Sequence, residues 1–121
     1  MSIRIMTVED STSMREMISF TLTEAGYTVT QAIDGKDALA KLPEGEVDMV
    51  ITDLNMPNMD GIELTETLRS NPAFKFVPIV FLTTESQMQK KQAAKEAGAT
   101  GWIVKPFKPV QLLDVVKRVL G

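Results

Sequence analysis

The chain contains no cysteine and no histidine. The first absence removes disulfides, zinc-thiolate sites, iron–sulfur clusters, thiol nucleophiles and every redox switch built on sulfur. The second removes serine–histidine triads and imidazole metal sites. Long hydrophobic runs are missing as well. The longest, Ile79 to Leu82, is far shorter than the roughly 20 apolar residues of a membrane-spanning helix. The N-terminal Met1-Ser2-Ile3-Arg4-Ile5 leads straight into an alternating segment without an apolar signal core, so a cytoplasmic location and no membrane insertion are expected. Neither G-x-G-x-x-G nor G-x-x-x-x-G-K-[ST] occurs, which leaves dinucleotide and P-loop nucleotide sites without support.

What remains is the composition of an ordinary globular domain: 121 residues, 44% hydrophobic and 24% charged. A chain of 13.4 kDa buries about two-thirds of its unfolded surface. One domain over residues 1–121 is expected, with no room for a separate output domain. The net charge is −3, a poor footprint for nucleic-acid binding. It conceals an asymmetry. Residues 87–121 hold seven Lys/Arg and two Asp/Glu, against six and fourteen in the residues before them.

Short β-branched runs alternate with segments of helical period. Strands are expected at Ile3–Val8, Thr28–Ala32, Asp48–Thr52, Val77–Leu82 and Trp102–Val104. The helices between them run from Thr12 to Ala25, from Asp34-Gly35 to Pro43, after Gly61, from Gln87 to Ala97, and onward from Pro109. Their inward stripes include Ile18 and Leu22, Ala38 and Leu39, Leu64 and Leu68, and Leu112 and Val116. Gly26 and Gly98 end two of the helices. Five strands alternating with five helices call for a parallel sheet between helical layers. In such α/β folds ligands bind beyond the carboxyl ends of the strands.

That rule selects Glu9-Asp10 after strand one, Asp53 after strand three, Thr83-Thr84 after strand four and Lys105 after strand five. If strands one and three are neighbours, three carboxylates share a small space, where two charges at 4 Å repel by about 4 kcal/mol at an effective dielectric of 20. A raised pKa relieves this, and so does a divalent cation. An oxygen-only donor set favours Mg²⁺. A carboxylate beside Mg²⁺, a lysine and a hydroxyl suits phosphoryl transfer with the carboxylate as nucleophile. Taken singly, each residue has a plain reading: Glu9 or Asp10 as a helix cap, Asp53 as turn chemistry, Lys105 as a solvated lysine. Their succession at one crevice is what points to a site. A hydroxyl-rich phosphate loop at Ser11-Thr12-Ser13 is disfavoured by its lack of glycine and by the two carboxylates before it.

Val8-Glu9-Asp10 with Met14-Arg15, Asp53-Leu54-Asn55-Met56-Pro57-Asn58-Met59-Asp60-Gly61, Leu82-Thr83-Thr84-Glu85 and Lys105-Pro106-Phe107 resemble, in order, the motifs of bacterial two-component response regulator receiver domains, most closely the single-domain chemotaxis regulators. The resemblance implies a flavodoxin-like doubly wound (βα)5 fold with strand order 2-1-3-4-5. It implies that Asp53 accepts a phosphoryl group from the phosphohistidine of a separate, chemotaxis-type histidine kinase. Mg²⁺ would be held by Asp10, Asp53 and the Asn55 carbonyl, with Glu9 acting through water. Thr83 and Lys105 would bind the phosphoryl oxygens, and Lys105-Pro106 would be a cis peptide.

Two departures stand out: Glu9 replaces the more usual aspartate, and Trp102 replaces the usual tyrosine and so offers no phenolic hydroxyl. In the family the threonine moves toward the phosphate and the aromatic turns inward, which here would couple Asp53 to Trp102 through Thr83; the plain alternative is a passively buried tryptophan. Asn55 and Glu85 occupy the positions that tune loss of the phosphoryl group to water. Lys90, Lys91, Lys95, Lys108, Lys117 and Arg118 fall on the expected output face of helix four, strand five and helix five, suited to an acidic partner; each singly is also read as a solvated charge.

The leading expectation is a monomeric signalling switch, catalysing only its own phosphorylation and slow autodephosphorylation, whose phosphorylated form binds the flagellar motor switch. An auxiliary phosphatase is a further possible partner. The alternatives are a phosphorelay shuttle feeding a histidine phosphotransfer protein, and an Asp-nucleophile phosphatase. The last fares badly, because Asn55 stands where such an enzyme needs a general acid.

Overall fold

In the computed structural model, residues 3–42, 47–56, 58–84 and 89–121 are described. Five parallel strands, β1 (Arg4–Val8), β2 (Thr28–Ala32), β3 (Met49–Asp53), β4 (Ile79–Thr84) and β5 (Gly101–Lys105), form one sheet in the order β2-β1-β3-β4-β5. The helices are α1 (Thr12–Glu24), α2 (Gly35–Ala40), α3 (Gly61–Arg69), α4 (Lys91–Ala97) and α5 (Pro109–Leu120). The expected fold and strand order are therefore those observed. Pro43, Pro57, Glu85 and Gln87, named in the sequence reading, lie outside the described residues.

The three central strands β1, β3 and β4 are buried on both faces, and alternate strand residues feed two cores. Met6, Val8, Val50, Ile79 and Phe81 pack with Leu64 and Leu68 of α3 and Ala94 of α4. Ile5, Met49, Ile51, Val80, Leu82 and Ile103 pack with Ile18 and Leu22 of α1 and Leu112 and Val116 of α5. All five residues of β3 are buried, as its nearly continuous apolar run predicts. It is the middle strand of the five, so whatever follows Asp53 emerges at the centre of the carboxyl edge.

Local chemistry sets the helix ends. The Asp60 carboxylate caps α3 by accepting from the Glu63 amide at 2.8 Å, and Gly98, at φ 114°, ends α4 in the left-handed region. Strand ends differ from the sequence reading by up to two residues. Asp53 pairs with Leu82, and Thr84 with Lys105, so these polar residues are the last rungs of the ladder and not the first of the loops. A 3₁₀ turn at Pro72–Phe74, with Phe74 buried, is an element that the hydrophobic period did not reveal.

Candidate functional site

Register brings the polar strand ends together. Val8 lies opposite Thr52, so Glu9 and Asp10 follow β1 beside Asp53 at the end of β3. One carboxylate oxygen from each of Glu9, Asp10 and Asp53 can be chosen so that all lie within 4.8 Å of one another. Glu9 and Asp53 are buried, at 1% and 6% exposure, whereas Asp10 is exposed. An oxygen-only set of this size, with two buried members, has the chemistry of a hard divalent cation site.

Lys105 enters from β5. Its ammonium donates to Glu9 Oε1 at 2.9 Å and lies 3.3 Å from Asp53 Oδ1. The Leu54 amide donates to the same Oδ1 at 2.9 Å, while Asp53 Oδ2 accepts no hydrogen bond among the described residues. Glu9 is further fixed by the Ser11 amide, which donates to Oε2 at 2.9 Å. The Arg15 guanidinium donates to the Glu9 carbonyl at 2.9 Å and so braces the segment that carries both carboxylates.

Electrostatics follow from this crowding. Burial, then the Glu9 charge, push the Asp53 carboxyl up to about 6, with Lys105 acting in the opposite sense. For Lys105, burial pulls the ammonium down, but the Glu9 hydrogen bond and the charges of Asp53 and Glu9 outweigh it and the net shift is upward. The lysine thus keeps its proton against two buried carboxylates.

Thr83 lies on β4, Asn55 two residues after the end of β3, and Trp102 on β5. Thr83 is buried near the end of β4, and its hydroxyl donates to the Thr84 carbonyl at 3.1 Å. The Lys105–Pro106 bond is cis. Asn55 is exposed, and its side-chain oxygen accepts from Lys90 Nζ at 3.0 Å. Glu85 is outside the described residues. Trp102 is half-buried, edge-on to Phe81 with ring centroids 6.0 Å apart and with the Lys91 ammonium 5.2 Å from its ring centroid.

Gly61 is a residue whose role the sequence reading missed. A Cβ there would lie 2.4 Å from the Asp53 carbonyl oxygen, so the start of α3 packs directly beneath the nucleophile candidate. The sequence signal was present in the Asp60-Gly61 pair, which reads first as a helix start.

Comparison with known proteins agrees with this geometry. Residues 5–117 match the model of the response regulator receiver domain. The chemotaxis protein CheY1 of Helicobacter pylori is 39% identical over 120 residues, covering 98% of this chain and 97% of that protein. The structure of chemotaxis response regulator CheY4 of Vibrio cholerae superposes with a TM-score of 0.93 at 47% identity, covering 98% of this chain and 99% of that one. The receiver domain of a sensor histidine kinase from Pseudomonas aeruginosa, solved with a magnesium ion coordinated in its active-site cleft, superposes with a TM-score of 0.90 at 28% identity over 100% of this chain and 99% of that one. A central strand that delivers Asp53 between a carboxylate pair and a lysine, in a chain matched almost end to end, makes this protein a member of the response regulator receiver family, with the chemotaxis regulators of the CheY type among its relatives.

Proposed function

We propose that this chain is a Mg²⁺-dependent phosphorylation switch in which Asp53 accepts a phosphoryl group from the phosphohistidine of a separate chemotaxis-type histidine kinase. The observation that carries the reading is the placement of Asp53: buried, 3.3 Å from Lys105, within an oxygen-only group of three carboxylates. In the transfer an Asp53 carboxylate oxygen bonds to phosphorus as the P–N bond breaks, and the electron pair leaves with the imidazole of the kinase. Oδ2 suits the attack, since Oδ1 is engaged by the Leu54 amide and Lys105. The phosphohistidine lies outside these 121 residues, which contain no histidine.

Asp10, Asp53 and the Asn55 carbonyl would hold Mg²⁺, with Glu9 one step outside. The ion supplies positive charge to the phosphoryl oxygens. Lys105 then moves its hydrogen bonding from carboxylates to a phosphoryl oxygen, and Thr83 offers its hydroxyl to another. Asn55 and Glu85 tune the attack of water on the acyl phosphate. Thr83 and Trp102 carry the change outward.

The output surface is the face of α4, β5 and α5. A cavity of about 360 Å³ there is lined by Trp102, Lys105, Phe107, Gln111 and Val115 among others. Exposed Lys90, Lys91, Lys95, Lys108, Lys117 and Arg118 fall on these elements or immediately beside them. This favours an acidic segment of a partner, and the similarity to chemotaxis regulators makes the flagellar motor switch the proposed target. The test is label transfer from purified phosphorylated kinase in the presence of a motor-switch peptide and a histidine phosphotransfer protein. Phosphorylation-dependent peptide binding supports the switch; rapid passage of label to the phosphotransfer protein supports a relay instead.

A further inference from the structure

A fourth carboxylate, Asp34, stands at the same edge of the sheet, just beyond β2, yet it does not join the metal-binding group. It is 8% exposed, and both of its oxygens are engaged. Oδ1 accepts from the Asp37 amide at 2.8 Å, capping α2, and Oδ2 accepts from the Asn58 side-chain amide at 2.9 Å. These two donors hold the Asp34 carboxyl below its usual range, the Asp37 amide more strongly. It is an acceptor set by protein donors, which makes it a poor ligand for an ion.

Asn58 lies in the loop from Asp53 to Gly61 that carries Asn55. At φ 70° it is the only non-glycine residue in the left-handed region among those described, a conformation in which asparagine is enriched. Its neighbour Met59 packs on Gly35 so closely that a Cβ at Gly35 would come within 2.8 Å of the methionine side chain. The loop is therefore fastened to the start of α2 through two consecutive residue pairs. Its other anchors are the Gly61 amide, which donates to the Leu54 carbonyl at 2.9 Å, and the Asp60 cap. Between Leu54 and Asp60 the Met56 side chain is also anchored, packing on the core with its sulfur 3.9 Å from the Thr52 hydroxyl, and Asn55 accepts from Lys90. On the side facing α2, the described loop residues are held by the Asp34 and Gly35 contacts.

We propose that Asp34 is a positioning residue for the metal: through Asn58 it fixes the loop bearing Asn55, so that Mg²⁺ affinity depends on a hydrogen bond whose partners do not touch the ion. The inference rests on the reading that Asn55 contributes to Mg²⁺ binding. Groups that hydrogen-bond a metal's ligands change its affinity by about 10–100-fold when lost. Asn58 holds the loop three residues from Asn55 and not the ligand itself, so an effect at the low end of that range is expected.

The experiment is a calorimetric Mg²⁺ titration of wild type, Asp53→Asn, Asn58→Asp, Asn58→Gly and the exchange variant Asp34→Asn/Asn58→Asp, with thermal unfolding in EDTA alongside. In Asn58→Asp two carboxylates face each other, and affinity is expected to fall about tenfold even though a negative charge has been added near a cation site. The exchange variant restores the bond with donor and acceptor reversed, since the new amide at 34 still accepts from the Asp37 amide, and is expected to recover wild-type affinity to within about twofold, its net charge being unchanged. Asn58→Gly keeps the left-handed backbone and loses only the bond, so a smaller loss is expected, and this variant decides if Asn58→Asp does not fold. Unchanged affinity in the folded single variants, or no recovery in a folded exchange variant, overturns the positioning role alone. Wild-type Mg²⁺ binding that is absent, or identical in Asp53→Asn, overturns the metal-site reading and the inference with it.

Discussion

Lys105 reaches to within 3.3 Å of Asp53 although their strands, β5 and β3, are separated by the whole of β4. The lysine spans the end of β4 to do so and is seated there by its 2.9 Å hydrogen bond to Glu9 on the far side of β3. Three strands thus contribute to one charge cluster, in which a single cation offsets two buried anions. This arrangement makes the cluster sensitive to the lysine, to pH and to metal.

Replacement of Lys105 by methionine keeps the length of the side chain and removes its charge. Glu9 and Asp53 are then left buried with no cation between them. Loss of one member of a buried pair commonly destabilises by roughly 3–5 kcal/mol; with Asp10 and the rim open to water, about 2–3 kcal/mol is expected for Lys105→Met at pH 8 without metal. Urea denaturation checks the value. Equal stability of variant and wild type would mean that the cluster is solvated and the ion pairs carry little.

The pH dependence has a definite sign. Asp53 titrates near 6 in the folded protein against an ordinary value of 3.8, so the folded state binds its proton more tightly than the unfolded state. Its contribution favours folding at low pH and is lost as pH rises from about 4 through 6. Asp53→Asn removes that loss, and at pH 8 in EDTA the variant is expected to be about 2–3 kcal/mol more stable than wild type, at roughly 1.4 kcal/mol per pKa unit. At pH 4 the two should converge. A gain independent of pH between 4 and 8, measured by thermal or urea unfolding, would contradict the assignment.

Gly61→Ala forces a methyl group to 2.4 Å from the Asp53 carbonyl and 3.2 Å from Leu54 Cα. Both obstacles are backbone, so relief requires moving the residue that carries the reacting carboxylate. A loss of about 2–3 kcal/mol in stability is expected, together with slower phosphorylation. An alanine variant with unaltered stability and rate would show that α3 shifts freely against β3.

Trp102 is the sole tryptophan, so its emission reports one environment. A small-molecule phosphodonor with Mg²⁺ is expected to change that emission, and Asp53→Asn to abolish the change. An equal response in the variant would remove the proposed coupling through Thr83. The aromatic contact between Trp102 and Phe81 is the starting packing from which such a change is read.

The fold was legible because period and burial agree: β3 is apolar throughout and lies mid-sheet, and α1 and α5 carry stripes that meet one core. The site was legible because a parallel sheet collects its strand ends, so Glu9, Asp10, Asp53, Thr83 and Lys105 needed no distance information to be grouped. Strand limits were less so. Ladder hydrogen bonds are indifferent to side-chain polarity, and β3, β4 and β5 continue through Asp53, Thr84 and Lys105 past the last apolar residue. Other contacts between polar residues distant in sequence left no trace. Asp34 reads locally as a cap and Asn58 as a turn residue, 24 positions apart. Arg69 has the most ordinary position of all, in the last turn of α3, yet its guanidinium donates to the carbonyls of Phe74, Val77 and Gly98. Backbone carbonyls are the same in every sequence, so such a clamp cannot be read from side-chain identities.

In the proposed switch Asp53 takes up one phosphoryl group in a Mg²⁺-dependent reaction. Intact-mass analysis after incubation with acetyl phosphate, with Mg²⁺ or with EDTA, tests it most directly in wild type and Asp53→Asn. A single phosphoryl adduct is expected in wild type with Mg²⁺, located to Asp53 by peptide mapping, and none in EDTA or in the variant. An adduct of equal yield in Asp53→Asn, or one formed equally without a divalent cation, would contradict it.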